Sequence, residues 1–439
     1  MADSAQAQPT TAEAAIGVSA ATSDPRGGLR RTLAAFTYRD FRILWFGACT
    51  SSVGTWMQSL AANWLVLAIT GSATYLGLDA FLQQLPIMLF TLIGGVLADR
   101  LDRRKTLLMS QYVQTATAAT LALLVFSGYI QIWHILTLSF ITGCAQAFGG
   151  PAYQSLIPSL VDKRDLTNAI ALNSIQFNVA RVIGPLLAGA VLALFASLGY
   201  RDTDPEPMST LFSLNALSYL VVIYALVSLH VRHIPPATTQ PMLDDMRSGL
   251  RYVRHTPAIP PLIVLAFATT FLGMPVLTLL PVYARDIYQA GVAEYSRMMA
   301  FAGAGAIAGS LIVAWLGRLK RMGVATLAVQ VAFGLFIMLF AVTRTIYVSY
   351  ALLFFTNVAL MIVFSTVTSL IQLIAPNEMR GRVMSIYMLA FRGGMPLGSL
   401  ASGYLASVFS APGVLVVNGA LLVAVAIYFL ARSHGMRDI

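Results

Sequence analysis

Between Phe41 and Ala431 the sequence returns again and again to apolar runs long enough to cross a bilayer, for which roughly 20 residues suffice. Twelve such runs can be placed: about 41–70, 73–98, 106–129, 132–151, 168–198 and 209–231, then 259–284, 297–316, 324–342, 346–375, 382–410 and 412–431. Hydrocarbon offers no partner for a backbone N–H or C=O, so a spanning segment is either a helix or part of a closed barrel. Barrel strands would alternate in polarity over about ten residues; these unbroken runs select helices. Composition agrees, with 57% hydrophobic and 10% charged residues, where a soluble domain carries about a quarter charged. The chain is predicted to be an all-α polytopic membrane protein.

The formal charge of +10 does not point to nucleic acid, because the basic residues come in short bursts between the apolar runs. Their distribution sets an orientation instead. With the N-terminus inside, the inner loops hold fifteen Lys and Arg, among them Arg100, Arg103, Arg104, Lys105, Arg380 and Arg382, while the outer loops hold only Arg201, Arg285, Arg297 and Arg344. This asymmetry predicts cytoplasmic termini. Cys49 and Cys144 both fall in apolar runs, so no disulfide framework is implied.

The runs divide into two sets of six. Residues 1–37, rich in Ala, Ser, Thr and Gln, read as a disordered cytoplasmic tail; 38–231 form one half, 257–431 the other, and 432–439 a second short tail. The connection 232–256 contains DDMRSGLRYVRH, which sets Met246, Leu250 and Val253 on one helical face and Arg247, Arg251 and Arg254 on the adjacent one. That pattern predicts a helix lying on the inner membrane surface. The halves also echo each other. Arg-Leu-x-Arg occurs at Arg100 and again at Arg318, and Arg-x-x-x-Pro occurs at Arg181–Pro185 and again at Arg392–Pro396. Two motifs repeating at nearly one offset argue for a duplicated six-helix unit.

Two six-helix halves with a long central loop, together with GVLADRLDRRK (Gly95 to Lys105), resemble the major facilitator superfamily. Gly95, Asp99, Arg100, Arg103 and Arg104 fit its signature between the second and third spans, while Asp102 stands where glycine is usual. The resemblance implies twelve transmembrane helices in two pseudo-symmetric halves, and a conformational latch in which Asp99 faces the N-terminus of the eleventh span, where a helix dipole favours an anion. Arg103 is then expected to pair with Glu378. ARVIGPLLAG resembles the fifth-span motif of the antiporter branches through Gly184, Pro185 and Gly189. The surrounding stretches resemble the drug- and siderophore-exporting branch that includes the enterobactin exporter.

Arg181 lies some 20 Å into its span, and Arg392 is placed similarly in the eleventh. A charge at a helix centre costs at least about 2.5 kcal/mol and faces a cavity or a partner. Two readings stay open: the arginines hold an anionic substrate group, or they bond carbonyls freed by Pro185 and Pro396 and brace the helices. Gly184 and Gly189 are expected to seat the fifth span on the eighth, through Gly305-x-x-x-Gly309. Asp79, the one acid placed within a span, is a candidate proton site, with a solvated interfacial position as the alternative. Aromatics, methionines and amides suit a greasy cavity with polar anchors. The resemblance, which lines the cavity with spans 1, 4, 7 and 10, narrows these to Trp56, Gln58, Gln146, Phe148, Phe271, Met274, Asn357 and Met361.

No G-x-x-x-x-G-K-[ST], G-x-S-x-G or H-E-x-x-H occurs. His230-x-x-His233 lacks a nearby Cys or carboxylate, so no metal site is predicted. No cofactor and no enzymatic activity are expected. The expectation is a monomeric exporter in a bacterial inner membrane, driven by proton antiport and moving an amphipathic drug, siderophore or related metabolite. An uptake carrier or proton symporter of the same fold, and a non-transporting membrane sensor, are the alternatives.

Overall fold

The computed structural model describes residues 33–100, 102–201, 204–229, 242–317 and 321–432, with side chains for all of these except 91–100 and 242–247. Residues 1–32, His230, His233, Arg318 and 433–439 lie outside the described residues. Among the described residues there is no strand. The first half comprises α1 (Arg39–Thr70), α2 (Ala73–Arg100), α3 (Arg103–Phe126), α4 (Ile132–Leu156), α5 (Leu166–Ser197) and α6 (Pro205–Val227). The connecting helix α7 (Met242–His255) leads to α8 (Ile259–Ile287), α9 (Val292–Leu316), α10 (Met322–Val342), α11 (Ile346–Ile374), α12 (Asn377–Val408) and α13 (Ala411–Arg432).

Eight of these among the described residues, α4, α5, α6, α8, α9, α10, α11 and α13, are long and apolar enough to cross a membrane. The other four of the expected twelve have the length, 32, 28, 24 and 32 residues for α1, α2, α3 and α12, but run on into charged ends. Polar caps explain such extensions. Asp102 accepts from the backbone N–H groups of Arg104 and Lys105 at 3.0 and 3.2 Å, so α3 starts among basic residues. At the other end of α2, Gly71 takes φ +62° and closes α1 through Gly71 N–H to Leu67 O at 2.9 Å, which permits a two-residue link.

The duplication appears in the packing. The pair α2 and α4 corresponds to α9 and α11, and α3 and α6 correspond to α10 and α13. The halves join chiefly along α2 with α12 and α5 with α9, again a repeat-related pair. Their cores differ between the two faces of the bundle. At the face away from the basic loops, one cluster runs through both halves and includes Leu60, Trp64, Leu211, Tyr283, Tyr295 and Phe340. At the basic face each half keeps its own cluster, Phe41 to Leu229 in one and Val253 to Ala426 in the other. Among the described residues the core is continuous at one face and divided at the other.

Polar contacts seal the closed face. Arg285, at the end of α8, donates to Leu67 O at 2.8 Å and so caps the last turn of α1 in the opposite half. Asn63 donates to the Tyr295 hydroxyl at 3.2 Å, and Trp64 stacks on the same ring. Thr74 and Ser407 share a 2.6 Å hydroxyl contact between α2 and α12.

Two segments depart from expectation. The tail boundary at residue 37 falls inside ordered structure: Ala34–Thr37 form a 3-10 turn, Ala34 and Ala35 are buried, and Ala35 N–H donates to Asn168 Oδ1 at 2.9 Å. In α7, the face that packs against α12 contains Ser248, Gly249 and Val253, whereas Leu250 is exposed. Arg382 donates to Ser248 at 2.9 Å, and Gly249 lets the helices approach; the side chains of Met246 and Arg247 lie outside the described residues.

The seam predicts a cross-link. With Cys49 and Cys144 replaced by Ala, a Thr74→Cys/Ser407→Cys variant should form an intramolecular disulfide under mild oxidation and stop turnover until reduced. Absence of the shifted, reducible band on gels would contradict the seam.

Candidate functional site

The polar contents of the bundle interior are set by where α1, α5, α8 and α11 bend or approach closely. Pro185 leaves the Arg181 carbonyl without its intrahelical donor. Gly303 of α9 sits against that carbonyl, where a Cβ would stand 3.0 Å from the oxygen. One turn on, Ser296 of α9 donates to Pro185 O at 2.5 Å. The expected seating of the fifth span on the eighth is therefore made by Gly189, Ser296 and Gly303. Gly305 and Gly309 face the other way, onto Phe354 and Val358 of α11; two residues along a helix turn the side-chain direction by about 200°. Gly184 likewise faces α1, with a Cβ position 2.8 Å from Val53 O. Pro396 is buried in α12, between Gly394 and Gly398, which lie against the backbone of Phe267 and Phe271.

Arg181 is 9% exposed. Its guanidinium donates to Asn357 Oδ1 of α11 at 3.2 Å and lies 5.6 Å from the Trp56 ring centre, within cation–π range. Its described side-chain bond thus goes across the halves to an amide, not to a carbonyl freed by proline. Phe177, one turn nearer the basic face, meets Trp56 edge-on at 6.1 Å and is exposed. Among the described residues no carboxylate pairs with Arg181. The repeat-related Arg392 is exposed at mid-helix.

The other expected cavity residues separate into two groups. Asn357 is buried and doubly used, accepting from Arg181 and donating to Leu353 O at 3.0 Å. Gln58 is tied within its own half, accepting from Asn215 at 2.7 Å, and Phe148 stacks on Phe90 at 6.2 Å. Met361 packs beside Gly309. Gln146 is half-buried. Phe271 and Met274 lie at a break in α8, where Thr269–Gly273 form a π turn ahead of Pro275. Pro275 and Pro281 are the sequence marks of this break; π turns occur disproportionately at functional sites.

Asp79 is 4% exposed, which removes the solvated interfacial alternative. Its Oδ1 has no hydrogen-bond partner among the described residues, and Ser139 of α4 lies beside the carboxyl group. Nothing in the sequence pattern singles out Ser139, one of several small polar residues along α4. The latch strip is described only in part: α2 continues through Gly95, Asp99 and Arg100, whose side chains lie outside the described residues. Arg103 donates to Ser155 O at 3.0 Å, and Arg104 caps α6 through Leu226 O and Val227 O at 2.6 and 2.7 Å. Glu378 is exposed in the first turn of α12. The expected Arg103–Glu378 ion pair is not formed among the described residues, because Arg103 is turned onto its own half at the divided face.

The sequence model of the family described as transmembrane secretion effector (MFS_3) matches residues 30–436. The chain is 25% identical over 398 residues to the staphyloferrin A transporter of Staphylococcus aureus, covering 87% of this chain and 94% of that one. It is 21% identical over 408 residues to macrolide efflux protein A of Streptococcus pyogenes, covering 88% and 94%. Among solved structures, a bacterial homologue of the human lysosomal transporter Spinster, in an inward-facing and occupied conformation, shares its fold with a TM-score of 0.71 at 13% identity, covering 94% of this chain and 98% of that one.

The cap at Asp102 predicts a stability difference. Asp102→Ala should destabilise the first half by about 1 kcal/mol, and Asp102→Gly by only a few tenths. Equal thermal unfolding midpoints for the two variants and the parent would show the cap to be idle.

Proposed function

The chain belongs to the transmembrane secretion effector family, and from that membership we propose a secondary active exporter that moves an amphipathic small molecule outward by alternating access, in exchange for protons. The observation that carries this reading is the division of the core: one shared cluster at the closed face and two separate clusters at the basic face. With the basic face cytoplasmic, this is the inward-facing state, ready to load from the cytoplasm. A staphyloferrin A transporter and a macrolide efflux protein among the relatives support export of small molecules.

Rocking about α2 with α12 and α5 with α9 would open the closed face and bring the basic ends together. Arg285 must then leave the end of α1, and Asp99 would meet the start of α12 as the inner latch. Asp79 is the proposed proton carrier. It is a buried carboxyl group with one oxygen unmatched, so gaining or losing a proton changes the polar balance between α2 and α4. Ser139 can donate to the carboxylate or accept from the acid.

The test is efflux from energised cells of three amphipathic dyes, anionic 1-pyrenebutyrate, neutral Nile red and cationic ethidium, with and without a protonophore. Protonophore-sensitive efflux of at least one is expected. Retention of all three at the level of empty-vector cells would overturn the export reading. Asp79→Asn, fixed in the uncharged state, should flatten the dependence of efflux on external pH; an unchanged profile would remove Asp79 as the carrier. Asp99→Asn should lower efflux at equal membrane abundance, and a normal rate would argue against the latch.

A further inference from the structure

Arg181 is a buried cation whose described partners, the Asn357 carbonyl oxygen and the Trp56 ring, are both uncharged. A brace alone would not need a charge: an amide or a hydroxyl could reach Asn357 without the desolvation that a guanidinium suffers. The fold also leaves room for a further partner. A guanidinium carries five N–H donors in a planar fork, and the described hydrogen bond from this side chain uses one nitrogen, Nη2. Beside it, Trp56 is half-buried and Phe177 exposed, one turn closer to the divided face. Arg392, at the repeat-related position, is a second cation, exposed midway along α12. The duplication extends to their companions: Asn357 follows Gln146 by 211 residues, the interval that separates Arg392 from Arg181. Each half thus carries one arginine and one amide at equivalent sequence positions.

Resting on the exporter reading, we propose that Arg181, supported by Arg392, selects substrates carrying a carboxylate. The carboxylate takes the free edge of the Arg181 fork, where planar, paired donors match its two oxygens. The apolar body of the same molecule lies on Trp56 and Phe177. Asn357 is a positioning residue: its Oδ1 holds the fork in place, and its own Nδ2 is anchored on Leu353 O. A lipophilic cation of equal size is excluded by the two like charges.

The experiment measures equilibrium binding of 1-pyrenebutyrate and of the uncharged 1-pyrenebutanol to the purified full chain in lipid nanodiscs, against empty nanodiscs. The parent should favour the carboxylate by about tenfold, the scale of one charge-assisted hydrogen bond. Arg181→Gln should abolish that preference and leave 1-pyrenebutanol within about twofold; Arg181→Lys should keep part of it. Asn357→Asp places a carboxylate on the fork itself, so it should lose the preference while keeping or raising the thermal midpoint. A parent without preference, an equal loss of both probes in Arg181→Gln, or an Asn357→Asp variant that retains the preference would each overturn the proposal. Because binding is read without transport, a failed efflux assay would leave this result standing, and a failed binding assay would leave the exporter reading standing.

Discussion

Backbone amides are costly to leave unpaired in hydrocarbon, and the helix breaks at Pro185 and Thr269–Gly273 each draw a close neighbour. Pro185 opens a turn of α5, and there α9 comes close, with a glycine against Arg181 O and a hydroxyl donating to Pro185 O. The π turn of α8 places Phe271 where Gly394 and Gly398 of α12 can touch its backbone. Small residues are thus found where helices are bent, and the bends are found where helices of different halves or different layers must slide. The geometry of the interior follows from this one demand.

The same economy shapes the closed face. Helix ends carry unsatisfied carbonyls, and Arg285 supplies donors and a positive charge to the end of α1 from the other half. Arg104 does the same for α6 within one half. The two arginines use the same chemistry in different places: Arg104 joins elements of one half, and Arg285 joins elements of different halves. Other described polar contacts between the halves at this face, Thr74 with Ser407 and Asn63 with Tyr295, are uncharged.

Charges inside the bundle are sparse enough to be considered singly. Asp79 is held between helices of one half, beside Ser139. Arg181 reaches across to the other half, through Asn357. A proton on the first and an anion on the second would therefore act on different joints, one within a half and one between halves.

The apolar runs, the placement of Lys and Arg, and the two repeated motifs made the helical bundle and its duplication readable from sequence, because lipid permits few alternatives and repeats leave their own spacing. The strip Gly95 to Lys105 and the pair Gly184-Pro185 were likewise legible as local patterns. What each side chain faces was not. Gly303, Gly305 and Gly309 look alike along the chain, yet the first meets α5 and the others meet α11. Gln58 reads as a cavity residue and is tied to Asn215; Asp79 could be interfacial by its sequence position and is buried; Arg181 left a substrate anion and freed carbonyls both open as partners, and its described bond goes to Asn357, 176 positions away. The sequence by itself determined a duplicated helical membrane protein with charges buried in its spans. Only the tertiary structure decided which helix each buried group addresses and which face is closed, because those depend on helix rotation and on contacts between halves that no local pattern encodes.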